Sequence, residues 1–139
     1  MTKFQSLYED FAEALIRFEE ILREEKTEIV RDAAILRFEI IFELSWKSLK
    51  AFLEENGVSC VSPLNCFKEG YRQKLLDYEE IWIELVQARN KTVHTYDEKL
   101  ADEIYKKLPL ALKAFQKLKK QLEKGRVITK IHIPKKARL

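Results

Sequence analysis

A short stretch of this chain, Arg89-Asn90-Lys91-Thr92-Val93-His94-Thr95-Tyr96, carries the residue types that phosphate chemistry needs. Arginine stays charged and grips a phosphate through two parallel N–H bonds. Histidine titrates near neutrality and can carry the proton steps of a transfer or cleavage. Cleaving RNA without a metal needs a base for the 2′-hydroxyl, an acid for the leaving oxygen and a cation for the pentacovalent phosphate. Arg89 and His94 are the candidate catalytic pair on this reading, and Asn90 is a candidate substrate contact. A plainer reading stands beside it. Bases at the end of a helix favour the macrodipole, and Tyr96 would then be a packing residue in the first turn of the next helix.

Helical geometry restricts how such a pair can work. Five residues along a continuous helix turn the side chain by about 140°, so Arg89 and His94 would point apart. They converge only if the helix unwinds near Thr92-Val93, or if a second copy of the chain supplies the missing group.

The elements that must position these residues are helices. Gly and Pro number three each, and Leu, Lys, Glu, Ala, Ile and Phe dominate the 139 residues, which predicts an all-α protein. A first helix spans about 3–25, with Phe4, Leu7, Tyr8, Phe11, Leu15 and Phe18 on one face. A second spans about 28–56, with Thr27 as N-cap and Gly57 ending it. Glu39, Glu43, Lys47 and Lys50 fall on one narrow strip of that helix and read as a solvated salt-bridge face. Nearly all the rest of its arc from Phe38 to Leu53 is apolar, which suggests either a central helix or a dimer seam. The dimer seam is the favoured expectation, because a small bundle has no natural centre. Ser62-Pro63 opens a short third helix to about residue 75. Capping boxes at Asp77–Glu80 and Thr95–Glu98 open the fourth and fifth helices. The fifth is expected to kink or break near Pro109 and to stop at Gly125.

The formal charge of +3 is unevenly distributed. Residues 126–139 hold five bases and no acids, leaving −2 for residues 1–125. The expected organisation is a helical bundle over 1–125 and a basic tail over 126–139, which could be an arm that touches phosphates, an added strand or a packed segment. Cys60 and Cys66 enclose five residues, form no C-x-x-C pair and lack a histidine partner. Free thiols are therefore expected, and neither metal nor cofactor. No apolar run is long enough for a membrane span, and Met-Thr-Lys-Phe-Gln-Ser lacks the apolar core of a signal peptide, so a cytoplasmic location with no membrane partner is expected.

The segment Leu36-Arg-Phe-Glu-Ile-Ile-Phe-Glu-Leu-Ser-Trp-Lys47, its continuation to Leu53-Glu-Glu-Asn-Gly57, and the Arg89–His94–Tyr96 spacing together resemble the HEPN proteins associated with minimal nucleotidyltransferases. That family is also called nucleotidyltransferase substrate-binding protein, and the likeness spans about residues 5–123. It implies an antiparallel up-and-down four-helix bundle with an additional short helix, assembled as a homodimer. It further implies a metal-independent ribonuclease toxin acting on RNA such as tRNA, with Arg89 and His94 in the catalytic positions. A minimal nucleotidyltransferase partner would neutralise the toxin by transferring AMP to the motif tyrosine, here Tyr96. A rival reading makes the chain a non-catalytic subunit that presents nucleotide or substrate to a separate nucleotidyltransferase.

Overall fold

Side-chain chemistry writes most of the helix starts. In the computed structural model the Thr2 hydroxyl accepts from the Gln5 N–H while Gln5 answers the Thr2 N–H, so α1 (Lys3–Leu22) opens with a capping box. Thr27 caps α2 (Glu28–Glu55) by accepting from Val30 N–H, and Ser62 caps α3 (Pro63–Arg72) by accepting from Asn65 N–H. Then follow α4 (Glu79–Lys91), a 3₁₀ turn (Thr92–His94) and α5 (Glu98–Lys136). The structure describes residues 1–136 apart from Tyr78, with side chains described to residue 125. The capping box expected at Asp77–Glu80 includes Tyr78 and so lies partly outside the described residues.

Three expected boundaries differ. The cap of α5 is Asp97, not Thr95. Its carboxylate accepts from Lys99 and Leu100 N–H at 3.0 and 3.3 Å, while the Thr95 hydroxyl donates back to the Thr92 carbonyl. α5 does not break at Pro109, which sits within one helix. Nor does that helix stop at Gly125. A Cβ there would lie 2.5 Å from the Phe52 ring, so this glycine serves close approach of α5 to α2, not chain reversal. Gly57, in contrast, does end its helix: it has φ +79° and follows Asn56, and the Val58 N–H turns back to the Leu53 carbonyl. The side chains of residues 126–139, and with them the expected phosphate contacts of the tail, lie outside the described residues.

Pairings along the helices fix their directions. Phe4 meets Phe52 and Phe18 meets Phe38, so α1 and α2 are antiparallel. Glu39 and Glu43 of α2 face Thr92 and Arg89, so α2 and α4 are antiparallel. Arg31 meets Glu98 and Asp102 near the start of α5, whereas Phe52 meets Gly125 far along it, so α2 and α5 are parallel. The result is the expected all-α, up-and-down four-helix bundle, with α3 inserted between its second and third long helices. Among the described residues there is no strand, and no helix is long and apolar enough to cross a membrane.

The bundle is rhombic. α2 and α5 pack together along the short diagonal, while α1 and α4 lie across the long one. α2 therefore touches all four other α-helices and occupies the central position that the sequence reading judged a small bundle would lack. Phe38, Ile41, Phe42, Leu49, Phe52 and Leu53 are buried within one chain. Most of the apolar excess of α2 thus needs no second copy to explain it. Phe115 of α5 sits where the layers meet, its ring 5.7–6.3 Å from those of Phe11, Phe18, Phe38 and Trp82.

Two further ties hold the chain ends of these helices. Arg31, only 3% exposed, bonds Asp32, Glu98 and Asp102, pinning the start of α2 to the start of α5. Its hydrogen bond to Glu98 more than offsets burial and pushes the guanidinium pKa further up, while hydrogen bonds from Lys26 and Arg31 hold the Asp102 carboxyl below its usual range. Cys60 and Cys66, expected as free thiols, form a disulfide. Between them the chain turns into α3 at Ser62, with Val61 N–H donating to the Asn65 side-chain oxygen, and the two Cα atoms lie 5.0 Å apart, a geometry that spacing alone does not reveal.

Candidate functional site

The Arg89–Tyr96 segment forms the corner between α4 and α5. Of the two routes by which Arg89 and His94 could converge, the local one leaves a trace: α4 gives way to the 3₁₀ turn at Thr92. The reason lies in Thr92. Its hydroxyl sits 2.6 Å from Glu39 Oε2 and 2.8 Å from the Arg89 carbonyl. It has one proton to give, and the carboxylate is the stronger acceptor. A buried threonine anchored to α2 tightens the last turn and aims the following residues outward.

The unwinding nevertheless does not bring the pair together. Arg89 turns inward, with Nη2 3.8 Å from Glu43 Oε1 and the side chain 30% exposed. Glu43 is itself fixed by the Trp46 indole N–H, which donates to Oε2 at 2.9 Å. The Nε of Arg89 is buried without a hydrogen-bond partner, so the guanidinium has donor capacity that the protein does not fill. His94 turns outward and meets Tyr96 edge to face, ring centroids 6.0 Å apart. Tyr96 is 82% exposed, and Val93, His94 and Asn90 are exposed beside it. Among the described residues no hydrogen bond or ion pair joins Arg89, Asn90, His94 and Tyr96 to one another.

Glu39, Glu43, Trp46 and Thr92 are the members of this site that the sequence reading missed. It placed both glutamates on a solvated face paired with Lys47 and Lys50. Instead they form a ladder, four residues apart on α2, facing Thr92 and Arg89, three apart where the antiparallel α4 passes into the 3₁₀ turn. That matched spacing, with Trp46 three residues after Glu43 at the edge of the strip, was the available signal. What the corner can do chemically follows from this arrangement. It offers a half-buried, incompletely bonded guanidinium for an anion. Next to that guanidinium it exposes an imidazole and a phenol on an open surface.

Comparison with known proteins adds a family to this geometry. The model of the family described as nucleotidyltransferase substrate binding protein like matches residues 6–124. A crystal structure of a Thermus thermophilus protein superposes with a TM-score of 0.77 at 34% identity, covering 81% of this chain and 98% of that one. A Haemophilus influenzae protein, whose structure is said to reveal the fold of a substrate binding domain of a nucleotidyltransferase, superposes with a TM-score of 0.64 at 19% identity. It covers 86% of this chain and 96% of its own and shares the fold. No curated protein sequence matches the chain at a significant level.

Proposed function

Because the chain belongs to the nucleotidyltransferase substrate binding protein like family, we propose that it is the non-catalytic, substrate-binding subunit of a two-component nucleotidyltransferase, working beside a separate minimal nucleotidyltransferase protein. The observation that carries this reading is the openness of the corner. Arg89 is turned to Glu43, and His94 and Tyr96 stand exposed to solvent, where another protein can reach them. Such a surface suits presentation of a bound phosphate or an acceptor group to a second active site. It suits enclosed acid–base chemistry less well, since that chemistry depends on excluded water. In this role Arg89 and Asn90 hold phosphate, and His94 and Tyr96 meet the partner or its substrate.

A specific observation favours a second reading. The Tyr96 phenol is fully reachable and its ring lies against His94, as required if the chain is a HEPN-type ribonuclease silenced by AMP transfer to Tyr96. An adenylylated Tyr96 would place phosphate and adenine beside His94 and block the approach of RNA by charge and bulk.

One experiment separates the two. The purified chain is incubated with total tRNA and a chelator, beside His94→Ala. The same chain is then mixed with the minimal nucleotidyltransferase and labelled ATP. The subunit reading expects no His94-dependent cleavage, and label transfer by the partner that rises when the chain is added. Cleavage that vanishes in His94→Ala would overturn it in favour of the ribonuclease. Tyr96→Phe should then cleave normally and resist silencing.

We also propose a homodimer. Although α2 is largely buried within one chain, Leu36 and Ile40 remain 57% and 47% exposed on it, and Ile16 of α1 is 58% exposed. A shared seam through these residues would remove apolar surface from water. Solution scattering at micromolar concentration should give twice the mass of the 16.5 kDa chain. A monomer would refute the assignment.

A further inference from the structure

A second feature stands apart from the corner. α5, the first turn of α4 and the connection between α3 and α4 line an open groove of ≈390 Å³, within the size range of small-molecule sites. Its floor is apolar: Leu76, Trp82, Ala114 and Leu118 are all at most 9% exposed. Its rim is basic. Lys113, Lys117, Lys120 and Lys124 follow a four-three-four spacing that sets them on one face of α5. The strip extends about 16 Å at the helical rise per residue.

Charge distribution makes this strip unusual for the protein. Residues 1–125 carry a formal −2, yet four lysines border one cavity in which Asp77 is the single acidic residue among the described lining residues. Two other cavities differ. The one between α1 and α2 mixes Asp10 and Glu13 with Arg17 and Arg37, and the one between α4 and α5 mixes Lys91, Lys106 and Lys107 with Glu103. Asp77 lies 3.8 Å from Lys117, an ion pair that ties the α3–α4 connection to α5. The pair is exposed and weak, and the size of the groove suits a compact ligand.

From this combination we propose that the groove between α5 and the α3–α4 connection binds a small organic phosphate with a flat aromatic body, the chemistry of a nucleoside monophosphate. The ring lies over the Leu76–Ala114 part of the floor, above Trp82, and against Leu110, which is 55% exposed, so that burial of its faces supplies the apolar part of the affinity. The phosphate meets the lysines and displaces Asp77 from Lys117. Trp82 lies in the first turn of α4 and Arg89 in the last, separated along the helix by about 10 Å. The groove and the corner are thus distinct places, and the proposal does not depend on the role given to Arg89–Tyr96.

Isothermal titration of the full chain tests it, with adenosine 5′-monophosphate, adenosine and inorganic phosphate as probes. Adenosine monophosphate should bind saturably at submillimolar concentration, and each half-molecule more weakly. Lys113→Glu combined with Lys120→Glu changes exposed positions only and should weaken the monophosphate at least about tenfold, the usual worth of a charge-assisted bond. A Trp46→Phe chain, in which Trp82 is the remaining tryptophan, should change its emission over the same range. Absence of binding at millimolar monophosphate would overturn the proposal. So would binding that survives the double charge reversal but is lost in Arg89→Ala, which would locate the ligand at the corner. Inorganic phosphate binding as tightly as the monophosphate would rule out the aromatic part.

Discussion

Arg89→Lys should lower partner-dependent nucleotidyl transfer about 30- to 100-fold while leaving thermal stability nearly unchanged. Lysine keeps the charge but cannot make two parallel bonds to one phosphate. Losing one charge-assisted bond of about 1.5–3 kcal/mol from the pair accounts for the size of the effect. Stability is spared because Arg89 contributes little to holding the fold. Its Glu43 contact is long, at 3.8 Å, and Glu43 retains the Trp46 indole bond without it. Transfer assays with the partner nucleotidyltransferase and a melting curve for each protein check the two halves separately. A large fall in melting temperature with unchanged transfer would mean that Arg89 is a structural strut between α2 and α4, and that phosphate is held elsewhere.

Phe115→Ala should be the most damaging single change to stability, at about 3–5 kcal/mol. The residue is fully buried and its ring contacts rings on α1, α2 and α4 at once. Helices from three directions cannot all relax into the space it leaves, so much of the cavity penalty persists. Set against a typical total of about 5–15 kcal/mol, that loss leaves a marginal protein. A denaturant titration measures it, with Leu110→Ala as the control. Leu110 is 55% exposed on the same helix and should cost little. Equal midpoints for the two variants would show that Phe115 is not the meeting point of the layers.

What could be read from the sequence was local. Thr27 and Ser62 cap the helices they were expected to cap, because a cap depends on the next three residues alone. The same locality explains the miss at the start of α5. Thr95 and Asp97 can both cap, but the Thr95 hydroxyl is turned to the Thr92 carbonyl, and Thr92 is itself anchored to Glu39, 53 residues earlier. Gly125 looked like a stop because a glycine kept free for the Phe52 ring has the same sequence signature as one kept for a reversal. The central place of α2 was invisible for a related reason: the apolar arc of a buried helix and that of a dimer seam are identical until the diagonal of the bundle is known. At the corner, residue types pointed to phosphate chemistry. Which of them converge was decided by Glu39 and Glu43, on a helix far earlier in the chain, 53 residues away in the case of Glu39 and Thr92.

The short diagonal between α2 and α5 also has a consequence in time. The hairpin of α1 and α2 is made first during synthesis, and Phe115, which covers Phe11, Phe18 and Phe38, is made last among these rings. At about 5–20 residues per second, the ribosome needs roughly 4–15 s to travel from Phe38 to Phe115. Throughout that interval the nascent hairpin has an aromatic face and nothing to set against it, the condition under which chaperones engage and aggregation begins. The late helix also supplies the Asp97 end of the corner and the lysine edge of the groove. A truncated translation product that lacks this helix therefore has neither surface complete and leaves Phe11, Phe18 and Phe38 without the ring that covers them.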